Sequence, residues 1–271
     1  MVLLGEDVGR AGGVAGTTEG LADLHGTDRV IDLPVAEHGT VGLAVGMALA
    51  GMRPVISLSS TSRLLAVIEP LAEAAALDGE FTAPLVLRVP SGTAAGERID
   101  RALPILDIAG LHVVAASSAS AASALLDAAL RASRPVVLLE PRSLYGSQRE
   151  LAAPADLGRA SVLRSGEHIT FAAFGEAVHT ALDATEALET EGISAGVIDL
   201  VSLAPLDTHT LGEQLRGTGR LVVLHPGEPA VAERVIRAGV HEAFLYLESP
   251  PASAEATIES AVAAARASLD Y

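Results

Sequence analysis

From Val2 onward, short runs rich in Leu, Val and Ile alternate with longer alanine-rich stretches. The runs "VLL", "RVIDL", "PVISLS", "APLVLRV", "HVVAAS" and "PVVLLEP" read as strands, and the spacing between them predicts helices over 18–25, 37–50, 62–77 and 120–132. That order is the βαβα signature of a parallel sheet covered on both faces. The periodicity lapses over 141–158, "PRSLYGSQRELAAPADLG", where Pro, Gly and charge gather as they do between domains. A second alternation follows. "ITFAAFG", "SAGVIDLVS" and "RLVVLHP" read as strands, with helices over 176–192, 207–219 and 229–244 and a closing segment over 253–269. Asp207 ahead of Thr208 suits a helix N-cap, and Gly192 and Gly219 stand where C-caps belong. The expected fold class is α/β with two doubly wound domains, residues 1–145 and 157–271, joined by a linker over 146–156. A length of 271 residues fits two domains.

Composition narrows the chemistry. The hydrophobic fraction of 49% comes from Ala, Leu and Val, with 3% aromatic residues, so helices and sheets should pack closely. All 18 basic residues are Arg and the formal charge is −16, which argues against binding a nucleic acid backbone. The absence of Lys excludes Schiff-base chemistry in this chain, and the absence of Cys excludes disulfides, thiolate nucleophiles and thiolate metal ligands. No apolar run approaches the ~18 residues of a membrane span. A soluble, cytoplasmic protein without membrane contact is the expectation.

Few local motifs carry chemistry. The glycines of "LGEDVGRAGG" fit neither the dinucleotide nor the P-loop spacing, and the eight histidines show no metal-ligand pattern. "PSGTAAGE" follows a strand and reads either as a ligand loop at the carboxyl edge or as a plain connection. Glu37 is more informative, because "RVIDLPVAEHG" places it just past a strand, in the first turn of a helix. One reading is a charge complementing the helix N-terminus, worth ~0.3–1 kcal/mol; the other is an acid held where α/β folds bind ligands. The glycines at 39, 42, 46 and 51 strip side chains from that helix at ~1 kcal/mol each relative to Ala, which predicts close contact with a partner helix or a ligand.

The block "VLLGEDVGRAGGVAGTTEGLADLHGTDRVIDLPVAEHGTVGLAVGMALAGMRPVI" closely resembles the start of the beta subunit of the 2-oxoacid dehydrogenase decarboxylating component. That pyruvate and branched-chain type falls within the transketolase-like thiamine diphosphate enzymes. "PLVLRVPSG", "PVVLLEPRSLYG" and "VIDLVSLAPLDTHTL" extend the resemblance over nearly the whole chain. It implies an N-terminal thiamine-pyrimidine-binding domain and a transketolase C-terminal-like domain. It also implies a catalytic role for Glu37: hydrogen bonding to the cofactor's aminopyrimidine, so that the exocyclic nitrogen can take the proton from carbon two of the thiazolium. Burial of such a carboxyl by cofactor and partner would help it hold or share a proton. Glu6, Val35 and Ser59 are implied as further cofactor contacts.

The same resemblance places the diphosphate and Mg2+ site on a separate alpha-type subunit, since this chain has no Gly-Asp-Gly start and no metal site of its own is implied. It therefore implies an alpha2beta2 assembly, inactive without the alpha-type partner. The implied reaction is cleavage of a 2-oxo acid or ketose, with transfer of the acyl or ketol unit to a lipoyl or carrier-protein acceptor. Transketolase-like two-carbon transfer in specialised biosynthesis and a scaffold subunit without turnover are the alternatives. Two of the chain's departures from the family bear on the site. Arg63 stands near an aromatic position that meets the pyrimidine, and the segment after "RVPSG" carries Glu97, Arg98 and Arg101 but no histidine. His112 falls inside the next strand. Arg63, Arg98 and Arg101 are the candidates for an anionic group of the substrate.

Overall fold

A computed structural model of the chain describes residues 1–79, 81–92, 99–151 and 156–271, with the backbone alone for 99–102. Six of the seven strands of the first sheet are parallel: β1 (Val2–Gly5), β2 (Val30–Asp32), β3 (Pro54–Ser57), β4 (Val86–Ser91), β5 (His112–Ala115) and β6 (Val136–Pro141). They are linked through α1 (Leu21–His25), α2 (Glu37–Leu49), α3 (Ile68–Ala76) and α4 (Ala119–Arg131). Neighbouring residues on each strand enter opposite cores. Leu3, Val55, Val86, Val114 and Leu138 pack on one face, while Leu4, Ile56, Leu87, Val113 and Val137 pack on the other. That is the two-face burial a parallel sheet requires, and it explains the continuous apolar runs.

The second sheet holds β7 (Ser161–Arg164), β8 (Ile169–Ala173), β9 (Ala195–Asp199), β11 (Leu221–His225) and β12 (Ala252–Glu255), in the order β12-β11-β8-β9-β7. Helices α5 (Ala177–Glu189), α6 (Thr208–Thr218), α7 (Pro229–Ala243) and α8 (Ile258–Leu269) cover it. Asp207 caps α6 by accepting from the Thr210 amide at 3.1 Å and the Thr210 hydroxyl at 2.7 Å, and Gly219 ends the helix at φ +66°.

The structure corrects several sequence expectations. The segment 62–77 is not one helix: a 3-10 stretch, Thr61–Val67, precedes α3. The first helix is only Leu21–His25, because Gly12, Gly13, Gly16 and Gly20 all take positive φ and hold the preceding residues in turns. β7 runs antiparallel to β9, and β12 precedes the closing helix; both are four residues long with no fully buried position, so neither has the apolar run of a central strand. "SAGVIDLVS" is not one strand either. It breaks after Asp199, Val201 takes φ +52°, and β10 (Ser202–Ala204) joins the edge of the first sheet antiparallel to β5.

This crossing strand ties the two halves together. Val201 accepts from the Ala115 amide at 2.8 Å, and Asp199 accepts from the Ser117 hydroxyl at 2.5 Å and the Val201 amide at 3.0 Å. His179 at the start of α5 donates from Nε2 to the Ser117 carbonyl at 2.6 Å. The apolar core is continuous across the junction, running from Leu4 and Val137 through Phe174, Leu200 and Leu203 to Val223 and Val231.

Burial pushes the Asp199 carboxyl up to about 6 from its ordinary 3.8, against the downward pull of the Ser117 and Val201 hydrogen bonds. The folded chain therefore binds a proton that the unfolded chain releases, and this contribution to stability is complete below about pH 4 and lost as pH rises through about 6. Asp199→Asn, which keeps the shape and the Val201 bond, is expected to unfold at higher urea concentration than the parent at pH 7.5. A gain on the order of 2–3 kcal/mol follows from two pKa units. The gap should shrink by most of that at pH 4; a parent chain equally stable at pH 7.5 contradicts the assignment.

Candidate active site

The carboxyl ends of β1, β2 and β3 lie side by side, with Gly5 opposite both Asp32 and Ser57. The residues just beyond them are the sequence candidates: Glu6 after β1, Val35 and Glu37 after β2, and Ser59 after β3. The fold brings these four to one edge, where open α/β sheets hold ligands. Gly5 is needed at the turn, since a Cβ there would lie 2.6 Å from the Ser57 carbonyl oxygen and 2.8 Å from Val8 Cγ1. The loop after Glu6 is fastened to the neighbouring strand. Asp32 accepts from the Gly9 amide at 2.6 Å and the Arg10 amide at 3.1 Å, and the Thr18 hydroxyl donates to the Val8 carbonyl at 2.7 Å. Glu6 is exposed, and Val35 is 52% exposed, an unusual state for an apolar residue at a ligand edge.

Glu37 opens α2, whose N-cap position, Ala36, provides no side-chain cap. Its carboxylate thus stands in the first turn, where the helix dipole favours negative charge. Its nearest charged partner is Arg63, whose Nη1 lies 3.1 Å from Oε1; the Glu37 side chain is 15% exposed and that of Arg63 is 41% exposed. Within this chain the carboxylate therefore faces a guanidinium. Arg63 belongs to the 3-10 turn after β3, and its amide donates to the Ser60 carbonyl at 3.2 Å. Of the other arginines proposed for an anionic group, Arg98 lies outside the described residues, as does Glu97, and so does the side chain of Arg101. His112 begins β5, which three strands, β6, β4 and β3, separate from β1 in the sheet.

Several supporting residues were not singled out in the sequence. Arg142 donates to the Ser59 carbonyl at 3.0 Å, pinning the chain just past β3 to the segment after β6. Thr61, in the same turn as Arg63, is fully buried, and its hydroxyl has no hydrogen-bond partner among the described residues. Arg88 and Glu140 form a two-pronged pair at 2.7 and 2.8 Å, and Tyr145 donates to the same carboxylate at 3.1 Å. Burial, with the Glu140 charge adding to it, pushes the Tyr145 hydroxyl far up, so it serves as a donor throughout the working pH range. No short motif announces the Arg142–Ser59 and Arg88–Glu140 contacts, because each joins segments far apart in the chain.

The fold leaves α2 open along its length. Thr40, Val41, Ala44 and Ala48 face the core, whereas Gly39, Gly42 and Gly46 are exposed, and a Cβ added at any of the three would meet nothing within 4 Å. Leu43 and Leu49 stand beside them, 48% and 49% exposed. Among the described residues no group of three or more His, Asp or Glu side chains has metal-holding geometry.

Residues 1–148 match the transketolase pyrimidine-binding domain, and residues 158–269 match the transketolase C-terminal domain. The pyruvate dehydrogenase E1 component subunit beta-1, mitochondrial, of Oryza sativa subsp. japonica is 36% identical over 266 residues, covering 92% of this chain and 71% of that protein. The pyruvate dehydrogenase E1 component subunit beta of Rickettsia bellii is 35% identical over 262 residues, covering 92% and 81%. A solved structure described as a split-gene transketolase, inactive beta4 tetramer, superposes with a TM-score of 0.78 over 99% of this chain and 91% of that one; at 21% identity it speaks to the fold alone. With both domains matched and relatives above 30% identity spanning most of their length, the chain belongs to the transketolase-like family that includes the beta subunits of the pyruvate dehydrogenase E1 component.

Proposed function

We propose that this chain is the beta-type subunit of a heteromeric thiamine diphosphate-dependent enzyme that cleaves a 2-oxo acid or ketose and passes on the acyl or ketol unit. The observation that carries the reading is the placement of Glu37: an acid at the start of a helix, at the carboxyl edge of three adjacent parallel strands. The residues there suit the pyrimidine half of the cofactor. Glu37 offers a carboxylate for a ring nitrogen, Val35 an exposed apolar surface, and Ser59 a position fixed from behind by Arg142. The cofactor, when bound, supplies a carbon nucleophile toward a ketone; the chain's task is to orient its pyrimidine and to share a proton at Glu37. The diphosphate and Mg2+ are assigned to an alpha-type partner, and the acceptor to a lipoyl or carrier protein.

Loss of a positioned proton-sharing group typically costs ~10²–10⁴ in rate. Glu37→Gln, assembled with the alpha-type chain, is therefore expected to lose turnover by a factor in that range while remaining folded and assembled, as read by steady-state kinetics and circular dichroism. Full activity in this variant would remove the acid from the reaction and the reading with it.

The open face of α2 is where the reading seats another subunit. A Cβ at Gly46 meets nothing within 4 Å among the described residues, the position is exposed, and Gly46→Phe replaces the poorest non-proline helix former, so the isolated chain should melt no lower than the parent. The same bulk is expected to abolish assembly, measured as mass by size exclusion with light scattering. An assembly of unchanged mass and affinity would place the interface elsewhere.

A further inference from the structure

Arg63 is a half-exposed side chain, an arm on a buried base. Its turn is anchored by fully buried Thr61, Leu64 and Val67, while its own side chain remains 41% exposed and makes its one ion pair, among the described residues, with Glu37 at 3.1 Å. The guanidinium holds Oε1, and Oε2 accepts no hydrogen bond among the described residues. Glu37 is thus the one group at this edge to which the arm is tied. A ring nitrogen seeking that carboxylate meets a cation already on it. An ion pair and a shared proton are alternative ways of neutralising one carboxylate, so the two contacts oppose each other.

We propose that Arg63 is a latch on Glu37: the guanidinium and the cofactor's pyrimidine compete for the same carboxylate, so loading of the site requires the arm to swing away. This rests on the function proposed above and adds regulation to it. The 3-10 anchor allows the swing without loss of core packing, because the three buried residues of the turn do not move with the arm. The pair is partly solvent-exposed, so its strength depends on salt. Low ionic strength holds the latch shut and high ionic strength loosens it.

The test is calorimetric titration of thiamine diphosphate with Mg2+ into the chain assembled with its alpha-type partner, comparing the parent with Arg63→Met and Arg63→Lys. Arg63→Met is expected to bind about three-fold more tightly than the parent in about 20 mM salt, and the ratio should approach one in about 0.5 M salt, the range over which such a pair is screened. Arg63→Lys, which keeps a cation, should stay close to the parent. In a Glu37→Gln background the gain from removing Arg63 should vanish. Equal or weaker binding by Arg63→Met at low salt overturns the latch and leaves the cofactor reading standing, as does a gain that persists without Glu37. No binding by the parent or by any variant overturns both.

Discussion

Burying a parallel sheet on both faces leaves little room for polar chemistry except at its ends, and the rest of this molecule follows from that constraint. Consecutive residues of β1, β3, β4, β5 and β6 enter separate cores, so a polar side chain within these strands must bring its own partner, as Arg88 and Glu140 do for each other. The carboxyl edge is different. There the strands release short loops with free backbone and the first turns of helices, and Glu6, Glu37, Ser59 and Arg63 collect at that boundary. Their proximity is a property of the sheet order, since more than fifty residues of sequence separate the first from the last.

A second consequence concerns the two halves. Each has its own sheet, but the segment after Asp199 leaves the second sheet to pair with β5 of the first. The crossing costs a buried carboxylate, which Ser117 and the Val201 amide satisfy. A junction made of backbone ladder, buried hydrogen bonds and a shared apolar core resists hinge motion far better than a flexible linker between two closed domains would. The carboxyl edge of the first sheet is thereby held in fixed relation to the second domain.

Much of this architecture was legible in the amino-acid pattern. The central strands announced themselves through unbroken Val, Leu and Ile runs, and the caps at Asp207 and Gly219 follow from local backbone chemistry. What was not legible is equally physical. β7, β10 and β12 are edge strands of three or four residues, too short to establish a period, and β10 changes sheets, which no local pattern encodes. At the site, Glu37 could be placed from its own neighbours. Its pairing with Arg63 could not, since that contact depends on β1 bringing β2 and β3 to either side of itself.

Helix α2 joins these themes in one element. A helix whose one face is buried normally turns a polar face to solvent; α2 instead turns glycine and leucine outward, and among the residues of its helical span only Glu37 and His38, at its first turn, are ionisable. The acid at one end and the bare apolar face along the length move as a rigid unit, because thirteen residues of continuous helix connect them. On the proposed reading, whatever seats against Gly39, Gly42 and Gly46 also sets the position and the water exposure of the Glu37 carboxylate. Assembly and site formation are then one event, and an outer face of α2 without polar residues beyond its first turn fits that coupling.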